Sequence, residues 1–174
     1  MDPARLIFID ESSAKTNLTR LRGRSERGQR VHAAAPHGHW NSTTVIGALR
    51  LDGSTACMAI EGATDVEVFG AYVQQVLCPF LKPGDVVVMD NLAPHKSEAI
   101  LAMIRQAGAQ ALFLPAYSPD FNPIEKMWSK LKHILRSLEA RTQASLIAAI
   151  GQALEAITPQ DAINWFASCG YNFI

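Results

Sequence analysis

Two short runs limit the fold more than anything else in this chain. LIFI at 6–9 and VVVM at 86–89 are apolar at every position, and each is followed by an aspartate, Asp10 and Asp90. A strand with one face in water alternates apolar and polar residues. A run with no polar face must be covered on both sides, as central strands of an α/β sheet are. A third such run, ALFLP, spans 111–115. Between the last two lies a stretch with helical character, 94–107, stopped at Gly108. That order predicts two parallel strands joined by a right-handed crossover.

The rest of the chain supplies partners for these strands. TTVIGALR at 43–50 and TACMAIEG at 55–62 flank Asp52-Gly53, the turn signal of an antiparallel hairpin. Val66, Phe69, Val73, Val76, Leu77 and Phe80 recur at helical spacing. Ile124, Met127, Trp128, Leu131, Leu135 and Leu138 make a longer apolar stripe. Further helices are expected over 142–157 and from Thr158-Pro159 onward, where a capping threonine precedes a proline at the first helical position. Residues 11–41 are polar, Arg-rich and punctuated by glycine, which reads as a long insertion or loop. The expectation is one α/β domain over 1–174, a mixed sheet flanked by helices, with a helical C-terminal region at 142–174.

Composition excludes some classes. No apolar run approaches the length of a membrane span, and no basic segment followed by an apolar run marks a secretory signal. Cys57, Cys78 and Cys169 are scattered without zinc-site spacing, as expected of a cytoplasmic protein. The 16 basic and 16 acidic residues cancel to zero net charge, but they are segregated. Lys15, Arg20, Arg22, Arg24, Arg27 and Arg30 crowd one segment, and Lys126, Lys130, Lys132, His133, Arg136 and Arg141 another. Local basic surface of this kind binds phosphates even in a neutral chain, although each cluster alone also fits a solvated polar face.

The acids carry the chemistry. Ligand sites of α/β sheets lie beyond the carboxyl ends of the strands. If the strands ending in Asp10 and Asp90 are neighbours, both carboxylates meet at one spot. Without a cation they repel each other, and a hard divalent ion such as Mg²⁺ resolves the conflict. Glu125 follows a proline-laced turn, LPAYSPDFNP, in which Asn122 suits the helix N-cap, Pro123 the first helical position and Glu125 the third. Each acid also has a plainer reading. Asp10 and Asp90 suit turns after strands, and Glu125 suits a helix start for its dipole and capping box.

FIDES at 8–12, VVMDNLAPH at 87–95 and LPAYSPDFNPIEKMWSKLK at 114–132 resemble the Asp-Asp-Glu catalytic domain of mariner-related bacterial insertion-sequence transposases. HGHWNSTTVIGALRLDG at 37–53 is similar to that family's central hairpin, and 34 residues separate Asp90 from Glu125, as in the family. The resemblance implies a ribonuclease H-like fold: a five-stranded mixed sheet, first three strands antiparallel, with flanking helices. It implies that Asp10, Asp90 and Glu125 hold two Mg²⁺ ions, with Mn²⁺ as a substitute. Water would then cleave double-stranded DNA at the element's ends, and the freed 3′-OH would attack target DNA.

It also makes Asn91 and His95 candidates for orienting Asp90 or touching DNA, and Arg20, Arg22, Arg24, Lys126 and Lys130 candidates for DNA contact. Partners implied are DNA and a second copy of the chain assembled on it, in a bacterial, nucleoid-associated setting. Only nine residues precede Asp10, so the expectation is that the family's N-terminal helix-turn-helix region is absent here, the chain being the catalytic half of a split transposase with a separately encoded helix-turn-helix partner, a truncated piece, or an inactive DNA-binding remnant. His37 and His39 are weaker metal candidates and Trp40 a weaker base-stacking one, while Trp128, on the apolar stripe, fits the core better than base stacking. A ribonuclease H-like nuclease without strand transfer shares the same metal chemistry. A phosphoacceptor receiver domain fits less well, because ALFLPAY lacks the lysine that such a fold places after its last strand.

Overall fold

The computed structural model describes residues 2–32, 36–37, 42–116 and 118–172. Among these, the strands are β1 (Leu6–Lys15), β2 (Ser42–Arg50), β3 (Thr55–Glu61), β4 (Val86–Met89) and β5 (Gln110–Phe113). They form one sheet in the order β3-β2-β1-β4-β5. The β1–β2 and β2–β3 pairs are antiparallel, and β1–β4 and β4–β5 are parallel. This is the mixed five-stranded sheet that the runs and the hairpin signal predict.

Alternation along the strands divides the interior in two. Leu6, Phe8 and Val88 face α4 (Ile124–Leu138), α5 (Gln143–Glu155) and α6 (Pro159–Ser168). Ile7, Ile9, Val87 and Met89 face α1 (Val66–Tyr72), the π-helical turn Val73–Leu77 that prolongs it, and α3 (Glu98–Gln106). The short α2 (Cys78–Phe80) closes the first of these helices. Thr142 and Thr158 each form a capping box, with Ser145 and Asp161, which start α5 and α6 where the sequence places them. No described helix is long and apolar enough to cross a membrane.

Two expectations change. First, β1 does not stop at Asp10: it runs on to Lys15, paired with β2 as far as Lys15↔Ser42. Ser13 and Lys15 point to water while Ser12 and Ala14 are buried, so a strand continues beneath a polar-looking segment. The insertion shrinks to 16–41, and 16–32 forms turns and bends. What ends near Asp10 is the pairing with β4, whose last register pair is Phe8↔Val88. Second, the stretch 94–107 is not one helix. A 3₁₀ turn, Pro94–Lys96, buries His95 before α3 begins at Glu98. Trp128, on the apolar stripe, is a core residue as expected, 2% exposed. Its ring lies across Gly47, where a Cβ would stand 2.7 Å from the indole and 2.9 Å from Cys57 Sγ. Glycine there lets α4 approach the sheet directly over the β1–β2 pair.

At the end of the sheet away from the aspartates, Arg50 and Asp85 form a buried ion pair. Arg50 Nη1 donates to Asp85 Oδ1 over 3.2 Å, and Nη2 to the Phe80 carbonyl over 2.8 Å. Asp85 also accepts from the Lys82 N–H, and its carboxyl lies below the usual range: these bonds outweigh the opposing effect of burial.

Candidate active site

Asp10 and Glu11 are consecutive in β1 and so leave it on opposite faces. Asp10 emerges on the α4 side, opposite Gly47 of β2. Asp90 is the first residue after β4, and Glu125 lies in the first turn of α4. All three line a single cavity of about 420 Å³, with Asn91, Pro115 and Asn122 among its walls. The structure thus gathers the three acids that the sequence singles out. They meet around a cavity without forming a ready-made cluster: among the described residues, no three His, Cys, Asp or Glu side chains stand at metal-holding spacing.

Among the described residues that line the cavity there is no Lys, Arg or His. Asp10 is pushed up to about 7, first by burial and then by the charges of Glu125, Glu11 and Asp90, against the Glu11 N–H that donates to its Oδ1. Oxygen donors crowded without a counter-charge are the donor set that hard divalent cations take, so the residues present fit such an ion.

Asp90 is held from behind. The Leu92 N–H donates to Asp90 Oδ1 over 3.0 Å. His95 Nδ1 stands 2.7 Å from the same oxygen, off the line of a good hydrogen bond. His95 Nε2 stands 3.2 Å from Glu11 Oε1, and the ring lies against Phe69 with centroids 4.4 Å apart. The imidazole has no exposed surface. Burial lowers its pKa, but the bond and charge of Glu11 and the charge of Asp90 prevail, leaving it above the ordinary value. Asn91 Nδ2 donates to the Leu114 carbonyl and so ties the end of β4 to the end of β5.

The turn before α4 differs from its sequence reading. Pro123 takes the N-cap, and Asn122 provides no side-chain cap. Its Oδ1 is instead buried without a partner among the described residues. Glu125 is therefore the second residue of α4 rather than the third. Tyr117, inside this turn, lies outside the described residues, as do His39 and Trp40; His37 is exposed.

The basic candidates separate into two groups. Lys126 Nζ donates to Ser168 Oγ over 2.6 Å, and Lys130 Nζ to Asp161 Oδ2 and the Ala156 carbonyl over 2.5 and 2.8 Å. Both lysines tie α4 to the segment around α6. Arg20 and Arg22 instead line a second cavity, about 560 Å³, with His133 and Arg136. Arg24 is exposed beside it in sequence and does not line it. Glu11 leaves β1 on the face away from the three acids, and its contact with His95 has no local sequence signal, because 84 residues separate the two.

No curated protein matches the chain in sequence. Solved structures match its fold. A pre-cleavage Mos1 transpososome superposes with a TM-score of 0.69 at 16% identity, over 99% of this chain and 58% of that one. The Mos1 mariner paired end complex with Mn gives 0.69 at 18%, over 99% and 57%. The catalytic core domain of BIV integrase gives 0.57 at 16%, over 97% and 99%. The chain thus spans little more than half the length of those transposase chains and nearly all of the integrase core. Sequence gives the family: residues 5–147, from the start of β1 into α5 and including all three acids, match the DDE superfamily endonucleases, and the chain belongs to that family.

Proposed function

We propose that this chain is the catalytic domain of a transposase that cleaves DNA at the ends of a mobile element and joins the freed 3′-OH to target DNA. The observation that carries this reading is the convergence of Asp10, Asp90 and Glu125 on one cavity with no Lys, Arg or His among its described lining residues. Two divalent cations, Mg²⁺ or Mn²⁺, held by these acids would activate the attacking hydroxyl and stabilise the leaving 3′ oxygen. Structural relatives described as paired end complexes with Mg and with Mn agree with that choice of ion.

The chain's own contribution is placement. Asp10 and Asp90 are fixed by neighbouring parallel strands, and Glu125 is carried over them by α4, whose N-terminal dipole favours an acid. Successive residues of a helix turn by about 100°. Glu125, Ser129, Lys132 and Arg136 therefore share one face of α4, and that face leads from the acids to the cavity of Arg20, Arg22 and His133. DNA backbone lies along this track, its scissile phosphate at the acids and phosphates farther along at the arginines. Joining two element ends calls for two such sites, so the assembled form is a homodimer on DNA. Reading of the end sequence falls to a helix-turn-helix region, on the same polypeptide or a partner.

The test is D10N, D90N and E125Q against element-like DNA in Mn²⁺, each with a melting curve. Each variant should fold and lose at least about 100-fold in strand cleavage. Cleavage unchanged in any of the three would remove that residue from the site.

A further inference from the structure

Glu11 and His95 stand outside the three acids, and His95, a candidate for orienting Asp90, is fully buried beside them. Asp10 and Glu11 leave β1 in opposite directions. Glu11 extends on the α1 side, where its Oε1 stands 3.2 Å from His95 Nε2. His95 then reaches around the end of β4, with Nδ1 2.7 Å from Asp90 Oδ1. The ring has no freedom to drift. It is fully buried, stacks on Phe69 at 4.4 Å, and sits on the 3₁₀ turn Pro94–Lys96. The Leu92 N–H donates to the same Asp90 Oδ1, and Asp90 lines the cavity of the three acids.

The path from Asp10 to Glu11 to His95 to Asp90 therefore closes a loop behind the sheet. One carboxylate of the site is tied to the residue beside the other. The parallel strands bring Asp10 and Asp90 together, but both lie beyond the last β1–β4 register pair, Phe8↔Val88, so no backbone pair joins them directly. The side-chain path links them there.

We propose that Glu11 and His95 are positioning residues that set the Asp90 carboxylate relative to Asp10, so that both acids meet one divalent cation at a fixed spacing. The inference rests on the metal-dependent reading above and adds to it two residues that touch neither metal nor DNA. Outer partners that orient a ligating carboxylate are worth about 10- to 100-fold in metal affinity.

The test is Mn²⁺ binding to the whole chain, followed by electron paramagnetic resonance, for wild type, E11A, E11Q, H95A and D90N. DNA affinity in EDTA and a melting curve are measured beside it. E11A should weaken Mn²⁺ binding about 10-fold or more and leave metal-free DNA affinity unchanged. E11Q, whose amide oxygen still accepts from Nε2, should recover most of the loss. A purely structural role would instead lower the melting temperature and leave the Kd of the folded fraction alone. H95A empties a buried site beside Phe69; if it fails to fold, E11A decides. Mn²⁺ affinity within about two-fold of wild type in E11A overturns the proposal. If D90N also binds Mn²⁺ normally, the metal site itself has been misread and the proposal falls with it.

Discussion

At Asp10, burial with other acids close by has a thermodynamic consequence. The carboxyl titrates at about 7, against 3.8 for the unperturbed group. The folded chain therefore binds this proton more tightly than the unfolded chain, and that stability is lost as pH rises from about 4 to 7. His95 acts in the same direction: its raised pKa contributes stability below its ordinary 6.5 that is lost as pH climbs through the folded value. Asp52, Asp85 and Asp161, all lowered, act only in more acidic solution. We expect the metal-free chain to melt several degrees lower at pH 8 than at pH 5, with millimolar Mg²⁺ restoring most of the difference at pH 8. Calorimetry at the two pH values checks this, and equal melting temperatures without metal would contradict it. The three acids were legible because each punctuates a strong local signal: an apolar run twice, a proline-laced helix start once. The Glu11–His95 contact was not legible, because only the folded sheet brings those segments together. Asn122 was misread for a related reason. Its type suits a cap, but Pro123 in helical conformation takes the position and leaves the amide without that role.

α4 shows what helical spacing reveals and what it hides. Its apolar stripe is plain in the sequence, and Ile124, Met127, Trp128, Leu131 and Leu135 are all buried. The duties of its cations are not, because they depend on which neighbour covers each flank. α6 covers the flank of Lys126 and Lys130, and Asp161 is drawn down to about 2, chiefly by its bond to Lys130. The two ends of that pair are 30% and 26% exposed, which limits its worth to about 1 kcal/mol. K130A should therefore lower stability by about that amount in a urea titration and leave the salt dependence of DNA binding unchanged. K132A and R136A should do the reverse, each reducing the slope of log affinity against log salt by about 0.9. A lost slope in K130A, or an unchanged one in R136A, would reassign the DNA-facing side of the helix.

On the scale of the whole molecule, the mixed sheet and its strand directions were legible, while the adjacency of β1 and β4 stood only as a condition and strand length was not legible. Crossover handedness and the hairpin turn leave few arrangements, and the observed sheet is the expected one. The extension of β1 to Lys15 escaped because a strand with one polar face resembles a loop when only five residues are added. The Arg50–Asp85 pair braces the opposite end of the sheet and was not anticipated, since the two residues belong to different strand neighbourhoods. Both are 4% exposed. Truncating one partner leaves the other charged and buried, so R50A should cost about 3–5 kcal/mol in denaturant unfolding. R50M paired with D85L should cost much less.

The course of the chain through the sheet carries one more consequence. β1 lies between β2 and β4, and the arginine-rich segment follows it before the chain returns as β2. Residues 20–32 are exposed, and the carbonyls of Thr16 and Leu18 are gripped by Arg141. A trypsin cut among those arginines would leave Asp10 on one fragment and Asp90 and Glu125 on the other. Both fragments would stay in register through the sheet. The nicked protein should run as two bands under denaturing conditions and one species under native ones, with Mn²⁺ binding intact. Two pieces expressed separately and divided in that segment should reassemble, so the site is a natural candidate for a split enzyme whose halves share one set of acids.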